Sequence, residues 1–474
     1  MRDIALLAFF ICSIPLIIKR PAIGVIMWVW LSVMNPHRLT YNFAFNLPFA
    51  ALTVGLTFFG LLITKDKRRL PLTPPVIVLA LFMLWMSVAS LFPFHPGSGY
   101  EMWSRVMKIL LMTFVALTVI HSKKQIHWLV WVLAGSLAFY GVKGGLFTLL
   151  TGGNYMVWGP DSSFIGGNNE VALALVMTIP LLRYVQLGLK KPWQRWAMTG
   201  AMLLCALASV GSHSRGAFLA IAAMGAVLWW KSRNKFGMGL VLFIIGIGML
   251  AFMPDEWMER MQSIKSYDED TSAMGRINAW WMAFNMARDR FFGGGFDIYD
   301  FDTFARYAPN PLDMHAAHSI YFQILGEHGF GGLFLFLSIG ASTWFAASDA
   351  KRKAKGIPDL HWIGPLMDLT KVSMVGYAVG GAFLSLAYYD VPYYLLVIVV
   401  ASRELALTAY KAKVGRHGAN GWMRRDRFGA VQTEVPEYAP EIESPRPPSR
   451  IGGWRGQGSF AERPLSLDTP KSPL

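Results

Sequence analysis

Apolar stretches of about twenty residues recur along this chain from its N-terminus to the neighbourhood of Tyr410. An α-helix needs about that length to cross a bilayer core of roughly 30 Å. Only 15% of the 474 residues are charged, whereas soluble domains usually carry about 25%. The pattern therefore predicts an all-α, polytopic integral membrane protein. It excludes an outer-membrane barrel, because the strands of such barrels are about ten residues long and alternate in hydrophobicity.

The apolar segments set the number of predicted membrane spans. There are thirteen candidates, of which the first two are short. We therefore expect 12–13 transmembrane helices and one large structured loop outside the membrane. The segments are 3–18, 21–35, 44–64, 74–92, 103–121, 126–149, 166–188, 194–211, 215–231, 236–253, 319–347, 366–388 and 391–410.

The charge of the connecting loops alternates along the chain. Lysines and arginines cluster after every odd-numbered segment, and the loops after the even-numbered segments are poor in cations for their length. By the positive-inside rule, the cation-rich loops are cytoplasmic and the others face outward. The net charge of +15 is therefore a topology signal, and no nucleic-acid partner is predicted.

Four regions follow from this topology. Residues 1–253 are predicted to form N-terminal membrane helices, 254–318 an outward loop with short helices, and 319–410 C-terminal membrane helices. A loop this long in a compact helical bundle is usually functional. Residues 411–474 are rich in Pro, Gly, Ser, Arg and Glu, which predicts a disordered cytoplasmic tail.

Five cations lie on the side of the membrane that the positive-inside rule leaves poor in positive charge. Arg105 and Lys108 share one face of the fifth segment, Lys143 lies in the sixth, Arg215 begins the ninth, and Arg276 lies in the large loop. Charges at membrane depth are costly, so this cluster predicts a local anion. The open alternative is contact with lipid headgroups or pairing with the nearby carboxylates Glu101, Glu170 and Asp390.

His315 and His318 lie where the large loop joins the eleventh segment. A metal-binding pair would need further ligands, and no His-Glu-x-x-His pattern occurs. Two histidines that cap a helix are another interpretation. The third is a general base, because histidine titrates near neutral pH. A base beside arginines suits the attack of a hydroxyl on an anomeric carbon with a phosphate leaving group, since the planar arginine fork matches phosphate oxygens.

Other patterns are weaker. Asp268/Asp270 and Asp300/Asp302 have the DxD form by which some glycosyltransferases hold a metal, but short acidic pairs are common in an acidic loop. Gly293–Gly295 is a loop breaker, and no P-loop or dinucleotide fingerprint occurs. We therefore predict no metal and no other cofactor.

Three of these positions stand in short motifs that resemble the O-antigen ligase and polymerase superfamily. They are Arg215 in Ser-His-Ser-Arg-Gly-Ala, Arg276 in Gly-Arg-Ile-Asn-Ala-Trp, and His318 in Ala-Ala-His-Ser-Ile-Tyr. The stretch Phe292-Gly-Gly-Gly-Phe296 and Glu327-His-Gly329 also fit the family pattern. The resemblance covers roughly residues 160–400. One departure is Ser319, where the family commonly has Asn, so either histidine remains a candidate base, with His318 favoured over His315.

The resemblance implies a metal-independent, inverting glycosyltransferase of the bacterial inner membrane, a multi-pass protein whose active site faces the periplasm. The donor would be a glycan linked to undecaprenyl diphosphate, and the acceptor a hydroxyl of lipid A–core, with membrane lipids around both. His318 would activate the acceptor hydroxyl. Arg215 and Arg276 would bind the diphosphate, assisted by the other cations Arg105, Lys108 and Lys143.

Two further readings share this chemistry. The same site would serve a protein O-oligosaccharyltransferase or a polymerase of glycan repeat units, and the histidine motif also resembles the O-glycosylation ligases found beside exosortase systems. A transporter of lipid-linked glycans is the alternative from another class. Such a protein would need charges deep in several helices, and few are present. Transporters are also often built from internal repeats, and no repeat is visible in this sequence.

Overall fold

The structure is a computed structural model that describes residues 1–425 except 67, 68, 96, 98, 233, 256 and 258–270. Within these residues the chain forms fifteen α-helices and no strand, which confirms the all-α prediction. The helices are α1 (Arg2–Lys19), α2 (Pro21–Val33), α3 (Phe49–Ile63), α4 (Pro74–Ala89), α5 (Tyr100–Val119), α6 (Lys123–Leu150), α7 (Asn168–Gly188), α8 (Pro192–Val210), α9 (Arg215–Lys231), α10 (Lys235–Phe252), α11 (Thr271–Asp289), α12 (Phe301–Tyr307), α13 (Ile320–Ala354), α14 (Ile363–Gly380) and α15 (Asp390–Arg425).

Each of the thirteen apolar segments coincides with one of these helices, and α11 and α12 lie in the predicted outward loop. Five helices are long and apolar enough to cross a membrane, namely α5, α6, α7, α13 and α15. Shorter apolar helices include α2, α3, α4 and α10. The chain is therefore a multi-pass membrane protein, and the number of its crossings stays a prediction.

Helix α7 lies at the centre of the bundle. In its most apolar 18-residue window 78% of the residues are buried, against 28% in the corresponding window of α13. It packs against α6, α8, α9 and α14, whereas α13 packs against α4, α11 and α14. Helix α7 is therefore packed on most of its surface, and α13 leaves a large part of its surface open.

Helix α13 is kinked at Gly329, whose backbone has φ +67° and ψ −173°. A break there removes the helical hydrogen bonds of the preceding turn. The freed carbonyl oxygens find other donors: Gly294 donates to Gly326 and Gly295 to Glu327, both at 2.9 Å. The glycine-rich stretch of the loop thus pairs with the glycine-containing turn of α13. Two motifs of the sequence resemblance meet here.

The bundle has two chemically different ends. We call the "lysine end" the one at which α9 and α13 end and α14 begins. There Lys231 and Lys351 both contact Asp368, at 3.8 and 2.6 Å. The cations around Asp349 lie at the same end and belong to α13 and α15: Arg352, Lys353 and Arg403 at 2.6, 2.5 and 2.9 Å. Apart from Arg403, which lies within the thirteenth apolar segment, these cations come from the loops and helix ends that the charge alternation predicts on one side.

We call the "histidine end" the opposite one, at which α7, α9 and α13 begin and α14 ends. The described part of the predicted outward loop, including α11 and α12, contacts this end. Residues 258–270 of that loop lie outside the described residues.

At the C-terminus, α15 continues to Arg425, past Lys411, where the sequence predicts the tail to begin. Lysine, alanine and arginine are good helix formers, and they extend the helix beyond its apolar part. Residues 426–474 of the predicted tail lie outside the described residues.

Candidate active site

The segment that precedes α13 is held in place by Asn278 of α11. The Asn278 side chain donates to the carbonyl oxygens of Asn310 and Asp313, both at 2.8 Å. It also accepts a hydrogen bond from the backbone N–H of Asn310 at 2.9 Å. One asparagine therefore fixes the backbone directly before His315.

Trp280 of α11 fixes the same segment one step further along. Its Nε1 donates to the carbonyl oxygen of Ala317 at 2.7 Å. The indole also stacks on Phe322, with ring centroids 4.9 Å apart and planes 5° from parallel. The carbonyl group before His318 and the ring of Phe322 after it are thereby both held by α11. Rigid support of this kind is what a positioned catalytic group requires.

The ring of His315 packs directly on Gly275. A Cβ placed on Gly275 would stand 2.7 Å from Cε1 of His315, so a larger residue would displace the ring. Nδ1 of His315 lies 2.8 Å from a carboxylate oxygen of Asp313. Because Arg276 follows Gly275 in α11, this close contact brings the arginine beside the histidine segment. Gly275 is not evident as a site residue in the sequence, where its signal is its place immediately before a predicted site arginine.

His318 has a positive backbone angle, φ +42°, which is uncommon for residues other than glycine. Such conformations persist where the surrounding structure imposes them, and they cluster at functional sites. The next residue, Ser319, is extended and begins α13. The His318 side chain is thus set apart from the helix that follows it.

Burial lowers the pKa of His318 to about 4, with smaller contributions from the positive charges of Arg276 and His315. An ordinary histidine has a pKa near 6.5. The imidazole is therefore neutral at pH 7 and has a lone pair that can accept a proton. The same electrostatic coupling means that Arg276 and the two histidines form one cluster.

Glu170, in the first turn of α7, lies within electrostatic range of Arg276. It was one of the carboxylates that the sequence offered as partners for the five cations. The charge of Arg276 therefore acts on a carboxylate of α7 as well as on His318. The central helix of the bundle thereby contributes to the cluster.

Arg215 begins α9, after Ser214, whose side chain accepts from the backbone N–H of Ala217 and caps the helix. The preceding turn is tied to the start of α7, because Asn168 donates to the carbonyl oxygen of Ser212 at 2.8 Å. Serine is a preferred N-cap residue, and this cap fixes the position at which the helix begins and therefore the position of Arg215.

The starts of α9 and α13 contact the same short turn, Gly381–Phe383. A Cβ on Gly216 would stand 2.9 Å from Cβ of Phe383, and one on Gly381 would stand 2.6 Å from Cδ1 of Ile320. Arg215 precedes Gly216, and His318 is two residues before Ile320. The structure therefore brings Arg215 to the same end of the bundle as the Arg276–histidine cluster.

An apolar groove starts beside this cluster. It has a volume of about 340 Å³ and lies between α13, α14 and α15. Ile320 and Tyr321, from the start of α13, line one part of the groove, and Thr343 and Trp344, further along the same helix, line another. Tyr321 also donates to the carbonyl oxygen of Ala378 in α14 at 2.7 Å. The groove therefore runs along the open face of α13 from the residues directly after His318.

Arg105 and Lys108 lie elsewhere at the histidine end. They line a cavity of about 910 Å³ whose other walls include Arg38 and Asp390. Arg105 lies over the ring of Phe164, 5.2 Å from the ring centroid. The charge of Arg105 acts on Asp390, which is the pairing that the sequence left open for it.

Lys143 is separated from both groups. It is exposed on α6 and lines a different, almost entirely apolar groove formed with α7 and α8. Of the five predicted cations, the structure thus brings Arg276 to the histidines, Arg215 to the neighbouring helix start, Arg105 and Lys108 to a separate cavity, and Lys143 to neither.

The acidic pairs have no common site in the described residues. Asp300 caps α12 by accepting from the backbone N–H of Thr303 at 2.9 Å, and its other oxygen lies 2.8 Å from Nε2 of His95. Asp268 and Asp270 lie outside the described residues. In the part of the chain that the structure describes, no three His, Cys, Asp or Glu side chains are grouped as a metal site requires.

Comparison with known protein families gives two matches. Residues 200–337 match the family model described as O-antigen ligase. This match supports the resemblance of the chain to the O-antigen ligase superfamily. Residues 1–188 match a family of unknown function. No curated protein matches the chain.

The two matched regions divide the candidate residues. Arg215, Arg276, His315 and His318 all fall within the O-antigen ligase domain, whereas the other three cations fall within the region of unknown function. The match with the O-antigen ligase domain supports a glycosyl-transferring function of the ligase or polymerase type. It also supports lipid-linked glycan and lipid acceptor substrates in general.

Proposed function

We propose that this protein is an inverting, metal-independent O-antigen ligase of the bacterial inner membrane. It transfers a glycan from undecaprenyl diphosphate to a hydroxyl of lipid A–core at the periplasmic face. His318 acts as the general base, and Arg276 and Arg215 bind the diphosphate. The observation that carries this proposal is the neutral His318 beside Arg276, within a domain of the ligase family.

The chemical step follows from these roles. The acceptor oxygen attacks the anomeric carbon, and its proton passes to the neutral imidazole of His318. The new carbon–oxygen bond forms as the bond from that carbon to the phosphate oxygen breaks. The diphosphate leaves with the electron pair, and the guanidinium groups stabilise its additional negative charge. Attack opposite the leaving group inverts the configuration at the anomeric carbon.

Binding of the donor also favours the base. The positive charge of Arg276 contributes to the low pKa of His318, so a diphosphate that neutralises this charge raises that pKa. Histidine then becomes a stronger proton acceptor when the donor is in place. Proton abstraction is thereby linked to the presence of the leaving group.

The apolar groove along α13 suits the polyprenyl tail of the donor. It begins at Ile320 and Tyr321, directly after His318, and continues along the open face of a helix long enough to cross the membrane. A carrier lipid must keep its hydrocarbon chain in the bilayer while its diphosphate reaches the site. The groove offers that path between α13, α14 and α15.

Alternative acceptors keep this chemistry. A protein hydroxyl would make the enzyme an O-oligosaccharyltransferase, and the end of a second glycan would make it a polymerase. A transporter of lipid-linked glycans would use the arginines for binding but would not need a histidine base. The three functions differ in which acceptor receives the glycan of the donor, and a transporter would transfer it to none.

The test uses the full-length purified protein with undecaprenyl-diphosphate-linked O-antigen. Lipid A–core, an acceptor protein, or additional donor alone is supplied in parallel, each with and without EDTA. We expect glycan on lipid A–core and the same yield with chelator. Glycan found only on the protein would identify a protein as the acceptor, and longer donor-linked polymer alone would identify a second glycan as the acceptor. Failure to consume donor under all conditions would contradict the proposal.

A further inference from the structure

The region of unknown function contributes most of the walls of the 910 Å³ cavity at the histidine end. Its cationic lining consists of Arg38, Arg105 and Lys108, from the segment after α2 and from α5. Arg105 and Lys108 lie on one face of α5 because they are three residues apart. These three cations can bind an anionic group of a ligand, because arginine forks match phosphate or carboxylate oxygens.

The cavity also contains carboxylates, of which Asp390 at the start of α15 is the most informative. Its side chain is 1% exposed, and it forms part of the cavity wall. In the described part of the chain, its buried Oδ1 has no hydrogen-bond partner. A buried acceptor without a donor is costly. A hydroxyl group of a bound ligand would supply that donor.

The remaining lining fits a ligand with many hydroxyl groups. Glu101, Asp297, Ser162 and Ser163 place further hydrogen-bonding groups around the cavity. Cations for an anionic group and several acceptors for hydroxyls together match a phosphorylated saccharide better than a free inorganic anion. An uncharged lipid tail is a poor fit to such a lining.

The cavity is connected to the candidate active site through a short stretch of chain. Ser162, Ser163 and Phe164 line the cavity, and Glu170, in electrostatic range of Arg276, follows within the next seven residues. The three cavity residues lie in a folded loop, since the N–H of Gly159 donates to the carbonyl oxygen of Gly166 at 3.0 Å. The same segment therefore forms a wall of the cavity and leads to the Arg276 cluster.

We propose that this cavity binds the phosphorylated saccharide of the acceptor glycolipid. Arg105, Lys108 and Arg38 bind its phosphate, and Asp390 accepts a hydrogen bond from one of its hydroxyls. The inference rests on the proposed function for the identity of the acceptor. It gives the region of unknown function a role in acceptor binding, and it assigns Arg105 and Lys108 to the acceptor instead of the donor diphosphate.

The first measurement is binding, which does not depend on transfer. The probe is lipid-free core oligosaccharide with its phosphates intact, titrated into the full-length protein in phosphatidylcholine nanodiscs. We expect the Arg105→Ala/Lys108→Ala double variant and Asp390→Asn to bind the probe at least about tenfold more weakly, since each loses a charge-assisted hydrogen bond. Phosphatase-treated oligosaccharide should lose a similar factor with wild-type protein, but no further with the double variant.

Arg288→Ala is the matched control, because Arg288 is exposed on α11, outside the cavity, and lies over the ring of Phe284. It should bind the probe like wild type. Arg105 and Lys108 are also exposed, so their replacement leaves the packed core unchanged. His318→Ala should bind the probe normally while losing transfer.

The second measurement is steady-state transfer. The double variant should raise KM for lipid A–core about tenfold and leave KM for the lipid-linked donor unchanged. Wild-type affinity in the double variant, or a raised donor KM with a normal acceptor KM, would overturn the inference. Phosphatidylglycerol in the nanodisc could also compete with the oligosaccharide for the cavity. Equal competition in wild type and Arg288→Ala, and none in the double variant, would assign the cavity to a lipid headgroup and would also overturn the inference. Phosphate-dependent binding without any transfer would contradict the proposed function alone.

Discussion

The lysine end and the histidine end of the bundle use positive charge in different ways. At the lysine end, cations from three helices gather around two carboxylates, Asp349 and Asp368. At the histidine end, Arg276 lies beside two histidines, and Arg105 and Lys108 line a cavity. At the lysine end each of these cations lies within 4 Å of a carboxylate oxygen, whereas at the histidine end Arg276 lies near titratable histidines and Arg105 and Lys108 line a cavity.

This difference shows that a count of basic residues does not locate a site. The lysine end follows the charge rule for membrane topology, and its more exposed ion pairs, those of Asp368, contribute little to stability. The histidine end contains fewer cations but places them among helix starts, a positive-φ histidine and a central helix. Position relative to buried and titratable groups distinguishes a candidate active site from a topology signal.

The largest effect is expected from His318→Gln. Glutamine keeps a similar size and polarity but cannot accept a proton at neutral pH. Transfer should fall by about a hundredfold to ten-thousandfold, measured as initial rate at saturating donor. His361→Gln at the lysine end is the control, because His361 is exposed and its Nδ1 lies 2.7 Å from the carbonyl oxygen of Pro358 in its own turn. Similar rates for the two variants would remove His318 from the mechanism.

Arg276→Ala should lower kcat/KM by about a hundredfold or more, because a charge-assisted contact to the leaving diphosphate is lost. Arg276→Lys should recover part of this loss, since it restores the charge but not the planar fork. At the lysine end, Arg352→Ala removes an exposed arginine of an ion pair and should leave transfer unchanged. Full activity of Arg276→Ala would exclude it from diphosphate binding.

Gly275→Ala sharpens the choice between the two histidines. The added methyl group would displace the ring of His315, which lies within 2.7 Å of the new Cβ position. We expect transfer to fall about tenfold through movement of Arg276, which follows in the chain. His315→Ala removes the ring that clashes, so the double variant should regain activity if His318 is the base.

Failure of this rescue, together with inactivity of His315→Ala alone, would assign the base to His315. The readout is the initial rate of transfer, normalised to folded protein by gel filtration. A Gly275→Ala variant with wild-type rate would show that the packing of His315 does not affect the site.

The smallest effect on transfer is expected from Asp349→Asn at the lysine end. It removes the charge contacted by Arg352, Lys353 and Arg403. Thermal unfolding in detergent should occur at a slightly lower temperature, corresponding to about 1 kcal/mol, while the transfer rate stays at the wild-type value. A large loss of transfer without a loss of stability would show that the two ends are functionally coupled.

Much of the fold could be predicted from the sequence, because helices in a membrane follow from length and hydrophobicity. The thirteen apolar segments coincide with helices, and the alternating charges separate the two ends. The kink at Gly329 and its pairing with Gly294 and Gly295 could not be predicted. They depend on hydrogen bonds between residues far apart in the chain.

The candidate site was predicted in part. The resemblance named Arg276 and His318, and the structure places them in one electrostatic cluster. The supporting residues Gly275, Asn278 and Trp280 were not singled out. Their roles are contacts with the backbone or ring of another segment, and such contacts become visible only when α11 lies beside that segment.

The five predicted cations looked alike in the sequence because they share one predicted side of the membrane. Packing separates them into different groups, since a side of the membrane does not fix which helices are neighbours. Arg38, which lines the cavity with Arg105 and Lys108, was missed. It lies in a short turn after α2, and its sequence context carries no motif.

The most direct test of a neutral His318 beside Arg276 is the pH dependence of kcat/KM for transfer. Wild-type activity should persist on acidification and fall only as pH drops through about 4, because protonation then removes the base. An ordinary histidine would already be about 97% protonated at pH 5. In Arg276→Gln the slower reaction should lose activity at higher pH, because removal of the positive charge raises the pKa of His318. An acid limb at the same pH in both proteins, or one that persists in His318→Gln, would contradict the account.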